Sequence, residues 1–209
     1  MTVSAENIPA RTARPVRDDT FLRHARIDRL FHWLTATCVL TLMATGLLPH
    51  MGLTFDGTLV HWITGLGLTA LVLFHLGRSF FWKKVRTIWF TRAELQSKQL
   101  GKYSVAQKCM HHALALLVFT SMCTGLVLLK KIGIPWLPRN PDMLGLRAWG
   151  WLYVIHGLAA VSAVTLVMIH IYFGVIPENR MYLKAMINGR MSRTDQRARV
   201  TAVLRRGVQ

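Results

Sequence analysis

Long stretches of this 209-residue chain carry no charge at all. No Asp, Glu, Lys or Arg occurs at 30–55, 57–77, 109–129 or 148–177. Acidic residues are scarce throughout, 9 against 26 Lys and Arg, which leaves a formal net charge of +17. Each uncharged run meets or exceeds the roughly 20 residues an apolar helix needs to cross hydrocarbon. The missing polar faces exclude a water-soluble helical bundle. A backbone at that depth must satisfy its own hydrogen bonds, which leaves helices as the economical structure. Cysteine is limited to Cys38, Cys109 and Cys123, with no CxxC pair, so neither a zinc site nor an iron–sulfur cluster is expected on this chain. There is no Gly-rich phosphate loop and no legible Ser/His/Asp arrangement. The first residues lack an apolar core, so no cleavable signal peptide is expected.

What is present predicts an all-α integral membrane protein, a bundle of four transmembrane helices near 30–48, 59–81, 110–130 and 151–175. These lie within one domain, residues 23–177. Residues 1–22 read as a flexible polar arm. Residues 178–209 read as a basic tail, with a short helix around 180–189 and solvated chain beyond. The basic residues are unevenly placed. Six Arg precede the first run, eight Lys or Arg lie between the second and third, and eight follow the fourth. The opposite side carries four, all between the third and fourth runs. Basic residues favour the cytoplasmic side, so both termini are expected there. The positive charge then reads as topology and contact with anionic lipid, and no nucleic-acid partner is expected. Trp33, Trp62, Trp82, Trp149 and Trp151 fall near the predicted helix ends, as residues of an aromatic belt.

Histidines inside these apolar runs carry the chemical signal, because an ionisable side chain in hydrocarbon is costly and is a functional-site hypothesis by default. His156 and His170 are fourteen residues apart, as are His61 and His75. Fourteen residues is close to four helical turns, so each pair shares a helix face about 21 Å apart along the axis. That spacing suits two metal centres stacked across a bilayer. With the first helix starting in the cytoplasm, His61 and His156 fall at the outer level. His170 falls at the inner level with either His32 or His75. Paired histidines from facing helices are a way for a bundle core to hold a haem. Gly46 and Gly125, fourteen residues after His32 and His111, would lie at the outer level and leave room for a flat macrocycle. His50, His111 and His112 sit at predicted boundaries and read as interfacial.

Three stretches carry a family resemblance: RLFHW at 29–33, GKYSVAQK at 101–108 and IHGLAAVSAVTLVMIHIY at 155–172. They resemble, respectively, an Arg-x-x-His-Trp opening of the first helix, a Gly-Lys-Tyr-Asn-Ala-Gly-Gln-Lys segment before the third, and a fourth helix with two histidines. Together they resemble the cytochrome b, or gamma, subunit of membrane-bound formate dehydrogenases, within the wider bacterial cytochrome b561-like and hydrogenase-cytochrome group. The likeness spans roughly residues 23–195.

The resemblance implies two haems b in a bacterial inner membrane, the outer bound by His61 and His156 and the inner by His32 and His170. His75 is not a usual ligand position in that family. It leaves open an arrangement in which two helices each supply two histidines. The resemblance further implies an iron–sulfur subunit and a molybdenum or tungsten catalytic subunit on the periplasmic side. Electrons would pass from them to menaquinone or ubiquinone near the cytoplasm. The reaction that supplies the electrons would then belong to another chain. Ser104, Gln107 and His75 are the candidates for the quinone pocket. Ser104 and Ala106 depart from the family's Asn and Gly. The alternative reading is a free-standing cytochrome b561-type oxidoreductase acting on a small oxidant such as superoxide.

Overall fold

A computed structural model describes residues 19–82, 103–197 and 201. The first eighteen residues of the expected N-terminal arm, residues 83–102 and the end of the basic tail lie outside the described residues. Four long helices dominate: α1 (Arg26–Leu47), α2 (Thr58–Trp82), α3 (Val105–Ile132) and α4 (Leu146–Val175). All four are long and apolar enough to cross a membrane. α1 packs chiefly on α2 and α3 on α4, so the bundle is two antiparallel hairpins, with α2 also touching α3.

α1 and α3 begin four residues, and α4 two, before the uncharged runs. A lack of charge marks only the hydrocarbon-depth core of a helix. The flanking turns continue through charged residues such as Arg26, Asp28, Lys108 and Arg147. Asp28 is favourable in the first turn of α1, where the helix dipole is positive. It also pairs with Arg78 of α2 at 2.5 Å, tying the first hairpin together at its open end.

α3 starts with a capping box. Ser104 Oγ accepts from the Gln107 backbone N–H at 3.3 Å, and Gln107 Oε1 accepts from the Ser104 backbone N–H at 3.0 Å. Before α2, Asp56 Oδ1 accepts from the Thr58 backbone N–H at 3.0 Å. That bond, with help from the Thr58 hydroxyl, holds the Asp56 carboxyl below its ordinary pKa. Lys130 and Lys131 complement the C-terminal end of α3, which stops at Gly133 with φ +72°.

Among the described residues few apolar side chains are buried against protein; Leu68, Leu129, Trp149, Ala159 and Ala163 are the ones within the spans. Large ones such as Phe80, Leu116 and Leu158 point outward. In a bilayer that outward surface meets lipid. Membrane helices gain little from burying leucine against leucine and pack through small residues and polar contacts. Several hydroxyls in the spans are satisfied locally, whereas among the described residues the buried Thr35 Oγ1 of α1 has no hydrogen-bond partner. Thr37, Thr45, Thr69 and Thr124 each donate to the carbonyl four residues back, at 2.8–2.9 Å.

Two features differ from the expectations. Trp149 is not a belt residue. It is 2 % exposed, its Nε1 donates to the Pro141 carbonyl at 2.7 Å, and the Lys131 ammonium sits over its ring at 5.2 Å. It is the core around which the α3–α4 loop folds. At the other end, a strand follows the short amphipathic helix α5 (Arg180–Asn188). This strand, β2 (Arg190–Ser192), pairs antiparallel with β1 (Thr20–Leu22), matching Phe21 with Met191. Gly189 turns the chain between α5 and β2 with φ +84°, and its carbonyl accepts from the Arg23 and His24 backbone N–H groups. Arg29 donates to the Ile187 carbonyl, and Trp33 Nε1 to that of Met186 at 3.4 Å. The start of α1 is thereby tied to the segment after α4.

Candidate functional site

The intramembrane histidines meet at two levels. At one, His61 of α2 and His156 of α4 face each other with ring centres 6.3 Å apart. At the other, His32 of α1 and His170 of α4 stand 6.2 Å apart. The fourteen residues between His156 and His170 separate the levels by about 21 Å along α4. His75 takes neither position. Its ring stacks on Phe31 at 4.4 Å with an interplanar angle of 15°. The residue next to Phe31 in the chain is His32.

These separations fit one kind of metal site. With metal–nitrogen bonds of about 2.0–2.1 Å, and each ring centre about 1 Å behind its nitrogen, two imidazoles on opposite sides of one ion stand about 6 Å apart. Among the described residues, no group of three or more His, Cys, Asp or Glu converges to hold a metal. Two facing imidazoles with no third donor would suit a metal held within a macrocycle, each couple supplying the two protein nitrogens.

Local sequence shapes the His61–His156 level. A Cβ added at Gly46 would come within 3.3 Å of His61 Cε1, and one at Gly125 within 3.3 Å of His156 Cε1. Both glycines thus let a neighbouring helix approach an imidazole closely. Beside them, Thr45 Oγ1 lies 2.9 Å from His61 Nδ1, and Thr124 Oγ1 lies 2.8 Å from His156 Nδ1. Sequence reasoning missed both threonines. The available signal was the Thr-Gly dipeptide, which occurs at 45–46, 64–65 and 124–125; the first and third lie on the helix preceding each histidine. At the His32–His170 level His32 meets Trp33 edge-on at 5.2 Å. Among the described residues, the buried His32 Nδ1 has no hydrogen-bond partner.

The other candidates lie at the start of α3. Ser104 and Gln107 bond to each other's backbone in the capping box. Their side chains therefore have a structural task, and the pattern Ser-x-x-Gln announces it. One and two turns further on, Lys108 is almost fully buried, its carbonyl meets His112 Nδ1 at 2.8 Å, and His112 meets His111 edge-on at 5.6 Å. His75 of α2 is within electrostatic reach of His111. His50 lies outside both pairs, its Nδ1 3.0 Å from the Gly46 carbonyl.

A family model described as prokaryotic cytochrome b561 matches residues 23–189. Among curated proteins, the chain is 23 % identical over 177 residues to the formate dehydrogenase cytochrome b556(fdo) subunit of Escherichia coli strain K12, covering 75 % of this chain and 79 % of that one. It is 22 % identical over 187 residues to the cytochrome b556(Fdn) subunit of the nitrate-inducible formate dehydrogenase of the same strain, covering 80 % and 82 %. The corresponding subunit of Shigella flexneri matches to the same extent.

Proposed function

The chain belongs to the prokaryotic cytochrome b561 family, with a cytochrome b role in membrane electron transfer, and from that premise we propose that it is the dihaem membrane anchor of a quinone-linked dehydrogenase. The observation that carries the reading is the pair of histidine couples, 6.3 and 6.2 Å between ring centres, at two depths of one bundle. In this reading His61 and His156 hold the outer haem b and His32 and His170 the inner one. When bound, the two haems supply one-electron carriers at two depths, so that electrons can cross from the outer to the inner level.

The distribution of Lys and Arg supports an orientation with both termini in the cytoplasm and the α3–α4 loop in the periplasm. That loop is built to present a fixed surface. Asn140 N–H bonds the Lys130 carbonyl at 2.8 Å, and Ile134 bridges Leu137. Trp136 is 70 % exposed at its tip and meets Trp62 edge-on. We assign it the docking of an iron–sulfur subunit, behind which a molybdenum or tungsten subunit acts on the substrate. The matched relatives are subunits of formate dehydrogenases, which supports formate as that substrate.

We place quinone, menaquinone or ubiquinone, at the cytoplasmic end, bounded by the segment 103–107 and His75; Lys102 of the same segment lies outside the described residues. Quinone reduction takes up protons, so its site needs polar groups beside a lipid-facing wall. The start of α3 groups Tyr103, Ser104, Gln107, His111 and His112 there. The capping box occupies Gln107 Oε1, which leaves the amide N–H donors as the groups that can face a quinone carbonyl.

Two substitutions separate these roles. Glu at this position keeps the capping acceptor and removes the donors, whereas Ala removes both. Gln107→Ala and Gln107→Glu should both slow haem reoxidation by added quinone about 10-fold or more, the scale of a lost positioned donor, with haem spectra unchanged. Normal reoxidation in Gln107→Glu would reduce Gln107 to a helix cap and move the quinone site elsewhere.

A further inference from the structure

The outer histidines are each backed by a hydroxyl whose proton is already committed. Thr45 Oγ1 lies 2.8 Å from the Thr41 carbonyl and 3.3 Å from that of Leu42. Thr124 Oγ1 lies 2.8 Å from the Thr120 carbonyl and 3.2 Å from that of Ser121. A hydroxyl has one proton, and a carbonyl oxygen can only accept. Each threonine therefore gives its proton to its own helix. What it turns toward the imidazole is a lone pair.

The direction of the two contacts to histidine follows. At 2.9 Å in one case and 2.8 Å in the other, the ring nitrogen must be the donor, so Nδ1 carries the hydrogen in His61 and in His156. A neutral imidazole with its proton on Nδ1 has an unprotonated Nε2, the nitrogen left to coordinate a metal. The same relay, carbonyl to hydroxyl to Nδ1–H, recurs in both hairpins, from α1 to α2 and from α3 to α4.

We propose that Thr45 and Thr124 are positioning residues of the outer centre. They fix the tautomer and orientation of its two ligands and hold its reduction potential down. This rests on the bis-histidine reading given above. A ligating imidazole that donates its other N–H to an acceptor is a stronger base, and a stronger base favours the oxidised metal. The two levels serve as each other's control, because the recorded contacts of both threonines run to outer histidines.

Valine matches threonine in shape and lacks the hydroxyl, and serine restores the hydroxyl. In the haem-loaded full-length chain, Thr45→Val and Thr124→Val should each raise the midpoint potential of the outer haem and leave the inner one where it was. The double variant should exceed either, and Thr45→Ser should return close to the unsubstituted value. Redox-induced infrared difference spectra of the unsubstituted chain should show an outer-histidine ring mode typical of a hydrogen-bonded Nδ1–H, and Thr45→Val should displace it. An unchanged outer potential in Thr45→Val with both haems bound would overturn the proposal. So would an unsubstituted spectrum without a hydrogen-bonded Nδ1–H, a test that needs no variant to fold. A chain that binds no outer haem would instead reject the bis-histidine reading itself.

Discussion

His156→Ala is expected to remove the outer haem and leave the inner one bound, and His170→Ala to do the reverse. Both residues lie on α4, about 21 Å apart along its axis, and face partners on different helices, His61 of α2 and His32 of α1. Loss of a hydrogen bond supporting a metal ligand typically costs 10–100-fold in affinity. Loss of the ligand itself should cost more, enough to empty that level. The helix should survive, since alanine is its best former. Thr124 would also keep its 2.8 Å bond to the Thr120 carbonyl when its histidine is gone. Reduced-minus-oxidised spectra during a redox titration separate the two levels, because each variant should keep one of the two components. Retention of both in either variant would remove that histidine from the ligand set.

His32→Ala should empty the inner level, while His75→Ala should leave both haems in place. The two residues compete in sequence terms, since both lie near the same end of the bundle and His75 repeats the fourteen-residue spacing. Side-chain placement separates them. His32 stands 6.2 Å from His170, whereas His75 lies flat against Phe31 at 4.4 Å. For His75 to reach His170 it would have to leave that stack. Haem content and the redox titration again give the answer. A His75→Ala chain that loses one component, beside a His32→Ala chain that keeps both, would reverse the assignment.

The parts of this architecture governed by simple one-dimensional patterns are readable in the chain. Hydrocarbon tolerates no unpaired charge, so the uncharged runs mark the four helices. Helical periodicity puts His156 and His170 on one face, and alternating helix direction matches His61 in depth with His156. Other parts depend on what lies across a helix boundary. Thr45 and Thr124 look like any membrane threonine that bonds its own helix, and their second contact exists only once α1 meets α2 and α3 meets α4. Trp149 sits where a belt residue would, yet the prolines after α3 fold the loop over it. The pairing of Phe21 with Met191 joins two three-residue strands at opposite ends of the chain, too short to show an alternating pattern. Ser104 and Gln107 were legible, but as a capping box.

The most direct test of the account is the haem content of the purified full-length chain, determined as b-type haem extracted per polypeptide. Two histidine couples at two depths predict two haems per chain, resolved as two components in a redox titration. A content of one haem per chain, or of none, would contradict the paired scheme.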